Sequence, residues 1–291
     1  MLSRIVAILA IASLVCGCGG AVPPVPSPSA PATTAATSSV SPSSSGPPPS
    51  AAAGIHYVAF GDSIPFGGAD CGCRGFPLLF GDWVEQATGE AVDTKNFAQH
   101  DNNTAAREAV ELSTHPDLVA ALRAADIITV TLGHNDTPWN AIDDACDADH
   151  GPLDPDPTGT WKQETGPCLQ KEVDRYRANL AAVLDQVIAL RGGRPVVLRL
   201  TEQYNDIPGD PCCGADAVKA SATIKDAFNA AACEVVAAHG GLCIDVYHAF
   251  NGPNGRGDAG ALLAGDHTHP SAAGHEKIAK LLEEAGLAPV R

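Results

Sequence analysis

Three short stretches carry side chains whose types and spacing could do chemistry. In Gly61-Asp62-Ser63-Ile64 a serine hydroxyl follows directly on an apolar run, Ile55 to Phe60. Near the C-terminus, Asp266-His267-Thr268-His269-Pro270 sets a carboxylate three residues before an imidazole, so one turn of chain can bring them together. Mid-chain, Gly133-His134-Asn135-Asp136 offers a side-chain amide just past another apolar run. A serine becomes a nucleophile when an imidazole takes its proton. A carboxylate on the other ring nitrogen then fixes the tautomer and stabilises the imidazolium. An amide aimed at the acyl oxygen stabilises the oxyanion that the attack creates. The set could therefore perform acyl transfer, with Ser63 as nucleophile, His269 as base, Asp266 as its partner and Asn135 as an oxyanion donor.

Taken singly, each stretch also has an ordinary explanation. A serine after a strand is commonly a turn or helix-cap residue. Asn-Asp is a turn dipeptide. The C-terminal stretch could be a surface loop, or could offer His267 and His269 to a metal. No third ligand of suitable spacing accompanies them, and the reading carries no metal and no cofactor.

The elements that must position these groups alternate. Strand candidates are Ile55–Phe60, Ala91–Phe97, Asp126–Leu132, Pro195–Leu200 and Leu242–Val246. Between and after them lie helix candidates near Phe76–Ala87, Thr104–Leu112, Pro116–Ala124, Leu169–Leu190, Ala215–His239 and Ala272–Ala285. In the fourth helix Val173, Tyr176, Leu180, Leu184 and Val187 recur three or four apart, as an amphipathic helix requires. Such alternation predicts an α/β fold with a five-stranded parallel sheet covered on both faces, in the flavodoxin-like order 2-1-3-4-5. Ligands then bind beyond the carboxyl ends of the strands, where strands 1 and 3 part. Ser63 and Asn135 both fall there.

The three motifs in this order resemble the SGNH (GDSL-type) hydrolase family, which carries Gly-Asp-Ser early, Gly-x-Asn-Asp mid-chain and Asp-x-x-His-Pro near the end. The resemblance runs from Ile55 to the C-terminus. It implies an α/β/α sandwich, a Ser63–His269–Asp266 triad, and an oxyanion hole made by Asn135 with the Ser63 backbone N–H. One block departs from the family. After strand 2 its members place a Gly in a run beginning with Asn, whereas Asn96 to Thr104 contains none. By spacing the position falls on Asp101, or on Asn102 after a one-residue shift. Asn and Asp tolerate left-handed backbone better than other residues with a side chain. A carboxylate beside an oxyanion is unfavourable, which makes Asn102 the chemically preferable choice. His100, in the same block, reads as a polar loop residue or a pocket-lining one.

Residues 1–17 read as an export signal. Arg4 precedes an apolar run, Ile5 to Val15, too short for the ~20 residues a spanning helix needs. Val15-Cys16-Gly17-Cys18 resembles a bacterial lipobox, and Cys18 suits lipidation better than Cys16 because the small Gly17 precedes it. Residues 18–54 hold no charge and are dominated by Pro, Ser, Ala and Thr, a composition that cannot bury enough apolar surface to fold. They read as a tether between a membrane anchor and the hydrolase domain at 55–291. Beyond Cys16 and Cys18 eight cysteines remain, an even number in an exported chain, which predicts disulfides. The expected pairs are Cys146–Cys168 and Cys233–Cys243, with Cys71/Cys73 joined to Cys212/Cys213. Cys-x-Cys and Cys-Cys spacings suit zinc poorly.

A formal charge of −16 excludes binding along a nucleic-acid backbone. From Thr137 to Pro167 about thirty residues lack periodicity, the length of a lid or binding loop. That loop holds Trp139, Trp161 and the acids Asp143, Asp144, Asp147, Asp149, Asp154 and Asp156, without the Gly and final Glu of an EF-hand. The expected activity is hydrolysis of carboxylic esters of lipids or acylated glycans in the cell envelope, by a monomer held on the extracytoplasmic face or secreted. Two other readings stand beside it. One is an acyltransferase using the same triad, the other a non-catalytic envelope-binding module. With neutral His269 as base, activity should climb as pH rises through about 6 to 7.

Overall fold

The computed structural model describes residues 54–100, 102–138, 166–211 and 213–288. The expected leader, Cys18 and most of the tether lie outside these residues, as do Asp101, Trp139, Trp161, Cys146, Cys212 and the loop acids. Five strands form one sheet: β1 (Ile55–Gly61), β2 (Val92–Ala98), β3 (Ile127–Thr131), β4 (Val197–Thr201) and β5 (Leu242–Ile244). All pairings are parallel and the order is β2-β1-β3-β4-β5. The helices are α1 (Gly68–Cys71), α2 (Phe76–Thr88), α3 (Ala105–Thr114), α4 (Pro116–Ala124), α5 (Pro167–Arg191), α6 (Ala215–Ala238), α7 (Val246–Asn251) and α8 (Ala272–Ala285).

Alternation along the strands builds two cores. Val58, Phe60, Ile128, Val130, Leu198 and Leu200 pack under α3, α4, α5 and α6. Their neighbours Tyr57, Ala59, Ile127 and Val197 face the other way, under α2, α7 and α8. The result is the expected three-layer α/β/α sandwich. Local signals set the ends of several helices. Thr104 caps α3 by accepting from Arg107 N, and Ser271 caps α8 by accepting from Gly274 N, contacts worth about 1 kcal/mol each.

Two features bear on the site. β5 ends at Ile244 rather than Val246, because the Asp245 carboxylate accepts from His248 N and starts α7 there. The stretch Phe250–Gly265 between the sheet edge and the C-terminal motif begins inside α7 and contains a 3-10 turn at Gly260–Leu262. These turns carry the chain from the sheet edge back over β4 and β3.

Candidate active site

Ser63 owes its position to the end of β1. Gly61 has φ +124°, and a Cβ there would stand 1.9 Å from Thr131 O, so only glycine lets β1 and β3 approach this closely. The chain then turns. Asp62 N donates to Thr131 O (2.7 Å), and Asp62 O accepts from Gln99 N (3.2 Å), which ties the turn to both flanking strands. Its carboxylate accepts from Ile64 N (3.1 Å) and closes the turn around Ser63. Burial pushes the Asp62 carboxyl above its usual range, against the opposing pull of His134 and the Thr131 hydroxyl.

Ser63 Oγ lies 2.8 Å from His269 Nε2. On the ring's far side Nδ1 is 2.6 Å from Asp266 Oδ2. The other carboxylate oxygen of Asp266 accepts from the backbone N–H groups of Thr268 and His269, both at 3.0 Å. Burial raises the Asp266 pKa, but the bonds from the His269 ring and these amides outweigh it and hold the carboxyl below its usual range. Two longer-range contacts hold the loop. Tyr204 OH donates to Thr268 O (2.6 Å), and Leu263 bridges Pro270 in antiparallel fashion. A hydroxyl, an imidazole and a carboxylate in this line can activate the serine and return the proton to a leaving group.

Asparagines follow β2 and β3, the strands on either side of β1. Asn135 is buried on a short 3-10 turn after β3, and its Nδ2 donates to Asn103 O (3.1 Å). The turn follows Gly133 at φ +122°, where a Cβ would stand 2.2 Å from Gln203 Nε2. Asn102 is exposed and left-handed, with φ +50°. Its neighbour Asn103 is fully buried and donates to Gly61 O (3.0 Å) and to Glu108. Asp136 accepts from Ala105 N at the start of α3. Among the described residues of the block after β2, Asn102 is the left-handed one.

Behind the Ser63 turn lies a buried polar layer that the motifs do not announce. Lys225, fully buried on α6, donates to Gln203 Oε1 (3.0 Å) and lies 3.3 Å from His134 Nδ1. His134 Nε2 is 3.4 Å from Asp206 Oδ2. Burial lowers the Lys225 pKa to about 8 against the pull of Asp206 and Asp62. Asp206 is held low, since His134 and Lys225 outweigh its burial. His275, one turn into α8, accepts from Phe76 N (3.1 Å), and burial followed by the nearby His269 lowers its pKa to about 4. That imidazole stays neutral.

One sequence expectation is corrected. Cys71 pairs with Cys73, not with the Cys212/Cys213 pair. Gly72, left-handed at the end of α1, folds the chain so that the two Cα atoms stand 5.1 Å apart. Cys233 is bonded to Cys243, and Cys168 and Cys213 are also disulfide-bonded. His267 is not among the side chains that gather at His269, being exposed and left-handed (φ +59°). Instead Asp70, His100 and His269 present donor atoms within 4.8 Å of one another. Nothing in their spacing along the chain foretells this, since the fold alone brings α1 and the end of β2 to the C-terminal loop.

A model of the GDSL-like lipase/acylhydrolase family matches residues 59–277. Among solved structures, the lipase Lip_vut3 from a goat rumen metagenome is similar at 20% identity and a TM-score of 0.61, covering 81% of this chain and 100% of its own. A catalytic mutant of Axe2, an acetylxylan esterase from Geobacillus stearothermophilus, is similar at 21% identity and a TM-score of 0.52, covering 82% of this chain and 98% of its own. At these identities the likeness is one of fold. No curated protein matches the sequence.

Proposed function

The chain belongs to the GDSL-like lipase/acylhydrolase family, and from that premise we propose that it hydrolyses carboxylic esters of lipids or acylated glycans in the cell envelope through an acyl-enzyme on Ser63. The observation that carries this reading is the line from Ser63 Oγ to His269 Nε2 (2.8 Å) and from His269 Nδ1 to Asp266 Oδ2 (2.6 Å). Ser63 attacks the acyl carbon as its proton passes to Nε2. Asp266 keeps the Nδ1 proton in place and stabilises the imidazolium. The oxyanion meets the Ser63 N–H, the Asn102 N–H and the Asn135 amide. That amide has two N–H groups and commits only one to Asn103 O. His269 returns the proton to the departing alcohol, and water repeats the sequence in reverse to release the acid.

The envelope setting rests on the lipobox at Cys18, the tether and the paired cysteines. There the enzyme acts as a monomer with no cofactor, on an ester substrate and away from nucleic acid. The experiment is hydrolysis of p-nitrophenyl esters from acetate to palmitate by the full chain, beside Ser63→Ala. Turnover in the wild type and a loss of at least about 10³-fold in Ser63→Ala are expected. The chain-length optimum then separates glycan deacylation from lipid hydrolysis. A folded wild type inert on every ester, or an active Ser63→Ala, would sink the proposal.

A further inference from the structure

One group of side chains beside the triad is not explained by ester hydrolysis. Asp70, on the short α1, stands between two imidazoles. Its Oδ2 is 3.6 Å from His100 Nε2, and its Oδ1 is 3.9 Å from His269 Nδ1. Both gaps are too long for a hydrogen bond. They suit a different purpose. Two ligands bonded to one zinc ion at about 2.0–2.2 Å, with angles opening from tetrahedral to about 130°, stand roughly 3.3–4.0 Å apart, the spacing each Asp70 oxygen keeps to one imidazole, so the carboxylate would straddle the ion.

The donor set agrees with the spacing. Two imidazoles and a carboxylate are common zinc ligands, with a fourth place left to water. The carboxylate is nearly buried, at 11% exposure, so it is held rather than swinging in solvent. His100 is positioned from outside by Phe66, whose ring meets it edge-on at 4.1 Å, and its own ring is 5.8 Å from that of His269. The four residues come from the Ser63 loop, α1, the end of β2 and the C-terminal loop, and they converge on one spot.

We propose that Asp70, His100 and His269 form an inhibitory zinc site that switches the hydrolase off by capturing its base. The inference rests on the reading of His269 as that base. The nitrogen nearest Asp70 is Nδ1, which already donates to Asp266. Asp266 Oδ2, at 2.6 Å, is too close to Nδ1 to share an ion with it, so it competes with the metal rather than joining it. When zinc takes the Nδ1 lone pair, the single proton of the neutral ring moves to Nε2. Nε2 then faces Ser63 with a proton and can accept none. No bond of the substrate is touched, and removal of the ion restores the original tautomer.

Two measurements on the full chain test the site. Equilibrium dialysis against Zn²⁺ reads binding directly for the wild type, Ser63→Ala, His100→Ala and Asp70→Asn. Hydrolysis of p-nitrophenyl acetate reads inhibition, with each protein compared with its own rate in EDTA. The wild type and Ser63→Ala should bind one ion with equal affinity. His100→Ala and Asp70→Asn should each bind about tenfold more weakly or worse, with the zinc needed for half-inhibition rising in step. Because Ser63→Ala is tested by dialysis alone, the site stands or falls even if the esterase reading fails. Unchanged affinity in both ligand variants would place the ion elsewhere, Glu202, Asp245 and His248 being a rival cluster among the described residues, and would overturn the proposal. Stoichiometric binding without inhibition would overturn it equally, because the ion would then not hold Nδ1.

Discussion

In the loop from Ala264 to Pro270 nearly every bond that orients His269 is local. Asp266 holds its ring and two following amides, His269 O accepts from Ala264 N, and apart from Ser63 itself one distant hydroxyl, that of Tyr204, fastens the loop. Asp266 and His267 remain exposed. Behind Ser63 the arrangement is the reverse. Asp62, His134, Asp206, Gln203 and Lys225 come from β1, β3, the loop after β4 and α6, and they meet in the interior. The first region can be altered without disturbing the core, whereas the loss of Lys225 or Asp206 from the second leaves a charge buried without its counter-charge. Chemistry is carried where the chain is local and wet, and rigidity where it is distant and dry.

Asp266→Asn should separate the two regions most widely. The amide leaves the loop bonds to Thr268 and His269 available but favours the wrong tautomer of His269, so kcat on p-nitrophenyl acetate should fall roughly 10⁴-fold. Unfolding by urea should move by no more than about 0.5 kcal/mol, as for an exposed position. A fall of less than about tenfold in kcat would break the comparison, because Asp70, 3.9 Å from the same nitrogen, would then be acting as the carboxylate partner.

Lys225→Met is the opposite case. The hydrocarbon fills the space of the lysine stem but leaves Asp206 and Asp62 without their buried cation. Removing one partner of such a set costs about 3–5 kcal/mol. The measurement is urea unfolding of the full chain followed by the far-ultraviolet signal. Adding Asp206→Asn should recover part of the loss, with a coupling of about 0.5–3 kcal/mol. Additive losses would mean that the layer is a set of independent contacts.

The same contrast governs how much could be read from the sequence. Ser63, Asn135, Asp266 and His269 are legible because each sits in a short motif directly after a strand or before a capped helix, and the strands announce themselves by apolar runs. The sheet order follows from the alternation of elements. Asn103, Glu108, Lys225 and Asp206 are illegible, because a buried polar residue looks like an exposed one until its partners are known, and those partners are 5 to 91 residues away. The spacing alone points Cys71 to a distant partner, because nothing in Cys-Gly-Cys shows that Gly72 is left-handed. Asp70 and His100 escaped for the same reason as the buried layer, since their relation to His269 exists only in three dimensions.

The smallest expected effect tests where the buried layer reaches the oxyanion side. Glu108 is fully buried on α3 and bonded to Asn103, whose backbone carbonyl in turn receives Asn135. Burial raises the Glu108 carboxyl to about 7, aided by Glu111 and Asp62 and opposed by Asn103 and Arg107. The folded protein therefore keeps a proton that the unfolded chain releases near pH 4.5. Stability from this group is greatest below that pH, declines as pH rises towards about 7, and is level above it. Glu108→Gln keeps an oxygen for Asn103 and has no proton to lose, so its stability should not decline across that interval. At pH 8 it should exceed the wild type by on the order of 2–3 kcal/mol in urea unfolding. Glu202, raised by burial to about 8, adds its own slope to both proteins, and their difference cancels it. Parallel pH profiles would show that Glu108 is ionised and matched in the folded state. The Asn103–Asn135 pair would then rest on a charge rather than on a neutral acid.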